Sequence, residues 1–394
     1  MSSPFSQDLL ISEEQKELVA LVKEFAEKKV KPVVEQCDRD DTLPMEVYEE
    51  AMEMGLHMTV LPEEVGGMGL DHLTNCLIME ELAKVDPGFA VGCSANGLAC
   101  EPIMIGGTKE QQKYFASVLS QKKFAAFCLT EADAGSDVAG GRTKAVFDKE
   151  KNEWVINGTK CFITNGGVAS IYVVFAITEE GEDVNPYKSM SAFIVERDLP
   201  GVSVGKKEDK MGIRLSSTTE VIFEDVRVPA DHLVGGEAAR GKGFKLAMQV
   251  LDSSRPTVGS MACGIAQRAI DECVEYANTR KTFGRPISKF QAIAFKIADM
   301  EMTTQVARQY CHYAAKVQDS GIKPYSKLSS IAKCFAGDNA VRVATEAIQI
   351  FGGYGYSKEY PIEKLLRDAK IYQIFEGTNE IQRIVIAGAV LSGK

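Results

Sequence analysis

Apolar residues recur along the first third of the chain at helical spacing. Leu18, Leu21, Val22, Phe25 and Ala26 fall at i, i+3, i+4, i+7 and i+8, one stripe along one face. Ser12-Glu13-Glu14-Gln15 ahead of them is a capping box, whose hydroxyl and amide satisfy orphan backbone groups. Pro32 marks a bend or the end of this helix. Further helices are predicted over 45–54, 72–84, 88–105 and 109–119, while Pro62–Gly69 holds too many glycines for regular structure. From about Phe124 the pattern changes to short β-type runs. Trp154–Ile163 reads as two strands around an Asn157-Gly158 turn, and 171–177, 190–195 and 220–228 are further β-rich stretches. No long helix interrupts them, so they predict an antiparallel barrel or sandwich. After Gly241 the helical period returns, over 243–251, 258–279, 287–321, 327–351, 360–369 and 381–391. The chain is thus expected to divide into helical residues 1–123, a β domain over 124–240 and a second helical domain over 241–394.

Composition narrows the partners. The 394 residues carry 45 Lys and Arg against 55 Asp and Glu, a formal charge of −10 with no compensating basic tract, which argues against nucleic acid. No apolar run reaches the ~20 residues of a membrane span. Met1–Asp8 lacks the basic start and apolar core of a signal peptide, and Ser392-Gly393-Lys394 is not a peroxisomal address, so a cytoplasmic, bacterial-type protein is expected. The 10 Cys form no Cys-x-x-Cys pair and read as buried free thiols; the 4 His are scattered. No metal site is expected.

Gly236–Gly243 comes within one residue of a phosphate-binding loop, but Gly243 stands where a hydroxyl should hold Mg²⁺, and a Pro-bounded turn precedes it. Gly352-Gly353-Tyr354-Gly355-Tyr356 lacks the strand–helix context of a dinucleotide fingerprint. Three other segments hold more. Thr130–Asp137 gathers hydroxyls, acids and a glycine directly after an apolar run, so that a ligand can approach backbone N–H groups. Phe375-Glu376-Gly377-Thr378 sets a carboxylate in apolar surroundings, where burial makes it a stronger base. Arg280 with Thr282-Phe283-Gly284-Arg285 forms a basic turn suited to phosphate oxygens.

These segments, in order, resemble the acyl-CoA dehydrogenase family of flavoproteins over nearly the whole chain. The landmarks are Pro62–Gly67, Leu129-Thr130-Glu131 with Ala134-Gly135-Ser136-Asp137, Asn157–Lys160 with Ile163–Gly166, Arg280–Gly284, Gln349–Gly355 and Phe375–Thr378. The resemblance implies an α+β fold: an N-terminal α-helical domain, a middle antiparallel β-barrel domain and a C-terminal four-helix-bundle-like α domain. It implies non-covalent FAD, a homotetramer (a dimer of dimers), and α,β-dehydrogenation of an acyl-CoA thioester with electrons leaving to an electron-transferring flavoprotein. By motif, Glu376 is the base for the α-proton. Phe127, Leu129, Thr130, Gly135, Ser136, Phe162 and Thr164 line the flavin from the β domain. Arg280, Phe283, Gln291, Gln349, Gly352 and Gly353 hold the adenine–pyrophosphate half, partly across a subunit interface, with Thr378 and Glu380 beside the same cofactor. Ser136, Asp252, Arg255 and Gly377 contact the thioester. The backbone N–H of Glu376 and a flavin ribityl hydroxyl stabilise the enolate oxygen.

Two departures stand out. Phe162 replaces the Trp that many relatives place over the flavin, and Ser254 stands where a minority carry the base. The helix over 88–105 lines the acyl pocket in this family; its Val91, Cys93, Ser94, Asn96, Leu98 and Cys100 are small or medium-sized and uncharged, and no Arg or Lys lies between Lys84 and Lys109. That disfavours an ω-carboxylate. Gly205–Gly212 resembles the short-chain, butyryl-CoA branch. Branched or cyclic acyl groups, enoyl-CoA reduction by the same site run backwards, and a non-catalytic scaffold remain the alternatives.

Overall fold

The computed structural model describes residues 11–181 and 183–393. Residues Met1–Asp8 and Lys394, on which the reading of targeting signals partly rests, lie outside the described residues. Six helices open the chain: α1 (Glu13–Phe25), α2 (Lys31–Asp40), α3 (Met45–Glu53), α4 (His72–Val85), α5 (Pro87–Gly106) and α6 (Lys109–Leu119). The Ser12 capping box forms as expected, with Ser12 Oγ accepting from the Gln15 N–H at 3.2 Å. At Pro32 the chain neither ends nor breaks. A π-helical turn over Ala26–Val30 joins α1 to α2, and Pro32 sits in the first turn of α2.

The middle domain comprises β1 (Phe124–Cys128), β2 (Lys144–Asp148), β3 (Glu153–Thr164), β4 (Ala169–Ile177), β5 (Met190–Glu196), β6 (Val202–Lys207) and β7 (Thr218–Pro229). They form one sheet in the order β1-β4-β2-β3-β7-β6, with β5 on β4, so the expected barrel is a half-barrel. Most pairings are antiparallel, but β1 runs parallel to β4, Phe127 opposite Val173. The expected Asn157-Gly158 hairpin is not there. β3 is one continuous strand, and the two residues form a bulge where its register against β7 shifts. The Asn157 side chain accepts from the Asp225 N–H at 2.8 Å and donates to Asp225 Oδ1 at 3.0 Å, so its polar groups are spent across the bulge.

The C-terminal domain contains α7 (Gly243–Thr279), a two-residue-strand hairpin of β8 (Lys281–Thr282) and β9 (Arg285–Pro286), then α8 (Gln291–Asp319), α9 (Ser326–Phe351), α10 (Ile362–Lys370) and α11 (Asn379–Leu391). α7 runs unbroken through the gap that the sequence pattern leaves at 252–257, with Pro256 inside it. Pro256 leaves the Asp252 carbonyl without its helical donor, and Gln318 Nε2 of α8 donates to that oxygen at 3.1 Å. One core spans all three regions, from Tyr48 and Phe89 through Trp154 and Tyr172 to Ile265 and Val343. Among the described residues no helix is long and apolar enough to cross a membrane. All ten cysteines are buried and unpaired.

Candidate active site

Glu376 sits on a left-handed turn between α10 and α11, with φ +57° at Glu376 and +82° at Gly377. A non-glycine residue in this region is held there by its surroundings. Gln382 Nε2 donates to the Gly377 carbonyl at 2.9 Å and to the Glu376 carbonyl at 3.3 Å. Lys333 Nζ donates to the same Gly377 carbonyl at 2.8 Å, and Thr378 caps α11 by accepting from the Ile381 N–H at 3.2 Å. The N–H groups of Glu376 and Gly377 have no protein acceptor among the described residues and are free to serve a ligand.

The carboxylate faces a small cavity of about 70 Å³ between α5, α7 and the Glu376–Gly377 turn, with Val91, Leu98, Thr164, Val258, Met261 and Phe375 in its walls. Ser254 Oγ of α7 donates to Glu376 Oε2 at 2.9 Å. Burial raises the Glu376 pKa above the ordinary 4.5, opposed by the Ser254 hydrogen bond and by the charges of Arg255 and Lys333. Arg255 is 3% exposed, donates to Ser330 Oγ at 3.3 Å and pairs with Asp252. Burial opposes both charges of that pair, raising the Asp252 pKa and lowering that of Arg255.

The sequence reading of α5 as uncharged at the acyl pocket needs correction. Glu101 stands in the cavity wall, pushed up to about 8 by burial and by the Glu376 charge, with the Ser253 hydroxyl pulling the other way. No motif marks it; an acid on an otherwise apolar helix was the available signal. Lys333 and Gln382 also escaped the sequence reading, as single polar residues inside amphipathic helices.

On the β side, Leu129 is buried, Phe127, Thr130 and Thr164 are half-buried, and Gly135, Ser136 and Phe162 are exposed. Their loop is set by a buried ion pair. Lys160 Nζ, fully buried, donates to the Leu129 carbonyl at 2.9 Å and to Glu131 Oε1 at 2.7 Å, while Glu131 accepts from the N–H groups of Arg142 and Thr143. The Cys161 N–H donates to the Thr130 carbonyl at 2.9 Å, tying β3 to the loop. Phe162 presents its ring to solvent from a backbone φ of +56°.

A second opening, about 680 Å³, lies on the C-terminal domain and brings together Arg280, Phe283, Gly352 and Gly353 with Phe290 and Tyr354. Arg280 stacks 5.3 Å over the Tyr354 ring. Phe283 is 93% exposed at the hairpin tip, and a Cβ on Gly352 or Gly353 would meet nothing within 4 Å. A guanidinium, apolar rings and open backbone suit an anionic dinucleotide with a planar base. Gln291 and Gln349 are exposed and do not line this groove; Thr378 is half-buried and Glu380 exposed at the start of α11. Groove and cavity share no lining residue, so they are separate openings on a single chain.

Three family models match in series: the N-terminal domain of acyl-CoA dehydrogenase over residues 12–122, the middle domain over 126–226 and the C-terminal domain over 241–391. An acryloyl-CoA reductase (NADH) of Anaerotignum propionicum is 45% identical over 385 residues, 98% of this chain and 96% of its own. The chain belongs to the acyl-CoA dehydrogenase family. Among solved members, butyryl-CoA dehydrogenase from Megasphaera elsdenii superposes with a TM-score of 0.92 at 44% identity, covering 97% of this chain and 99% of its own. A chain from work on the electron transferring flavoprotein of Acidaminococcus fermentans and flavin-based electron bifurcation gives the same TM-score and identity, over 98% and 99%. As an acyl-CoA dehydrogenase family member, the protein is an oxidoreductase whose helical, β and helical regions follow the family order.

Proposed function

We propose that this protein dehydrogenates short-chain acyl-CoA thioesters at the α,β bond, with FAD as cofactor and Glu376 as base. The observation that carries the reading is the Glu376 turn: a carboxylate of raised proton affinity in an apolar cavity, next to backbone N–H groups that no acceptor among the described residues uses. Glu376 takes the α-proton, and its own N–H donates to the thioester oxygen as negative charge develops there, an interaction commonly worth ~3–4 kcal/mol in the transition state. Ser254 holds the carboxylate in place. When bound, FAD supplies the acceptor for the β-hydride. Arg280, Phe283, Gly352 and Gly353 fit its adenine–pyrophosphate half, and Leu129, Thr130, Gly135, Ser136, Phe162 and Thr164 its flavin side. Phe127, Gln291, Gln349, Thr378 and Glu380 belong to the same proposed set, as do Asp252, Arg255 and Gly377 for the thioester.

A cavity of about 70 Å³ admits only a few heavy atoms beyond the reacting carbons, which supports a short acyl chain. The likeness to butyryl-CoA dehydrogenase from Megasphaera elsdenii supports the same choice. The separate openings on one chain support a cofactor bound across a subunit interface, and the exposed Phe295, Met302 and Val306 on one face of α8 support the homotetramer. Electrons are expected to leave to an electron-transferring flavoprotein, as the Acidaminococcus fermentans likeness supports. Ten buried, unpaired thiols support a cytoplasmic location. The acryloyl-CoA reductase (NADH) relative favours a second reading, in which the same site reduces an enoyl-CoA.

The test is anaerobic mixing of the flavin-loaded protein with acyl-CoA and enoyl-CoA thioesters of increasing length, with and without an electron-transferring flavoprotein. Bleaching strongest with a four-carbon acyl-CoA is expected. Bleaching by none of the acyl-CoA thioesters would reject the reading.

A further inference from the structure

Directly beneath the base turn lies a cation that the chemistry above does not employ. Lys333 of α9 is 1% exposed, and its Nζ donates to the Gly377 carbonyl at 2.8 Å and to Asn379 Oδ1 at 2.9 Å. Both acceptors are neutral. Burying an ammonium among neutral groups is costly, and a negative charge nearby lowers the cost further than hydrogen bonds to neutral acceptors do. Among the acids that act on Lys333, Glu376 acts most strongly.

We propose that Lys333 is a positioning residue for the base: it pins the left-handed Glu376–Gly377 turn through the Gly377 carbonyl, and its charge favours the ionised form of Glu376. The proposal rests on the assignment of Glu376 as base. Two observations support it beyond the hydrogen bonds. The turn puts a non-glycine residue at φ +57°, so something must hold it, and Gly377 O receives two side-chain donors, Lys333 and Gln382. Burial drops the Lys333 pKa to about 8, opposed by the Glu376 charge, and below that value the ammonium is charged and can act on Glu376.

Other charges face the same place. Arg255 and Asp252 come from α7 and Glu101 from α5, while Cys334 and Asp338 flank Lys333 on α9, with Arg383 and Glu380 on α11 beyond them. Arg255 is already engaged by Asp252, which offsets its charge at Glu376. Glu101 is itself pushed up by burial and by the Glu376 charge, so it stays protonated near neutral pH beside the base. Lys333 is therefore one of two cations that act on the base, after Arg255, and the one that also holds its turn.

The deciding experiment titrates Glu376 itself in the FAD-loaded protein, by the infrared carbonyl band of its protonated acid, recognised as the band missing in E376Q. In K333M the midpoint is expected to rise by about one pH unit or more, a tenfold loss of ionised base at pH values below it. Flavin bleaching by butyryl-CoA should fall about tenfold in that range and converge on the parent protein at higher pH. K333Q, which keeps a donor but no charge, should shift the midpoint in the same direction, and K333R should restore it. Unchanged midpoints in K333M and K333Q would overturn the proposal, leaving Lys333 a brace for the turn. Full bleaching of E376Q would instead overturn the base assignment, a separate result.

Discussion

Glu376 and Glu101 share one cavity, and their environments set them different tasks. Ser254, Arg255 and Lys333 all favour the ionised form of Glu376, whereas the Glu376 charge itself helps to keep Glu101 protonated. A neutral Glu101 adds no second charge beside Glu376 near neutral pH, which suits an apolar chain. It also makes stability depend on pH. The folded-state pKa of about 8 lies above the ordinary 4.5, so the folded protein binds the extra proton, and stability is lost as pH rises from 4.5 through 8. Glu101→Gln removes that loss. It should stabilise the protein by roughly 1–3 kcal/mol at pH 8, with the gain fading towards pH 5, as thermal unfolding at the two pH values would show. An equal gain at both would contradict the buried-acid account. At this scale the sequence made Glu376 and Arg280 legible because each sits in a glycine-bearing motif. Glu101, Lys333 and Gln382 are single polar residues on helices, and only the packing of three elements gives them a role.

The elements divide in the same way. Helices with caps, such as α1 behind Ser12, were legible because the capping chemistry is local. α7 was not, because its continuity through Pro256 depends on a donor from another helix, Gln318, 62 residues on. β3 shows the converse: Asn157-Gly158 has the composition of a two-residue turn, but the pairing of Asn157 with Asp225 keeps the chain extended as a bulge. At that bulge Gly158 has φ +152°, and a Cβ there would lie 2.4 Å from Thr143 Oγ1 and 2.7 Å from Thr143 Cα. Gly158→Ala should therefore cost about 1–3 kcal/mol, because the backbone at Thr143, just ahead of β2, must shift. In a hairpin tip the added methyl would meet open solvent. Denaturant unfolding that finds the variant as stable as its parent would restore the turn reading.

At the scale of the molecule, the three regions are joined by buried charge as well as by apolar packing. Lys364 of α10 donates to Asp86 at the start of α5, at 2.6 Å, and to Asp368 at 2.5 Å, while Asp368 accepts from the Ile213 N–H of the middle domain at 2.6 Å. One ammonium thus serves carboxylates that touch all three domains. Lys364→Met would leave two buried acids uncompensated and should cost about 3–5 kcal/mol in denaturant unfolding. A loss below 1 kcal/mol would mean the cluster is not what joins the domains. The overall charge of −10 gives no help in holding anionic FAD or CoA, which is why the proposed donors are local ones, Arg280 and backbone N–H groups. The domain order was legible from periodicity alone, whereas a cofactor contact across a subunit interface was implied only by the family resemblance, because periodicity does not report where helices end in space.

The central claim is that Glu376 takes the α-proton in a flavin-dependent dehydrogenation. Anaerobic mixing of butyryl-CoA with the parent protein and with Glu376→Gln, both carrying FAD, tests it most directly. The parent flavin should bleach as crotonyl-CoA forms, and the Gln variant should bind FAD and thioester with its flavin still oxidised. Full bleaching in the Gln variant would contradict the account.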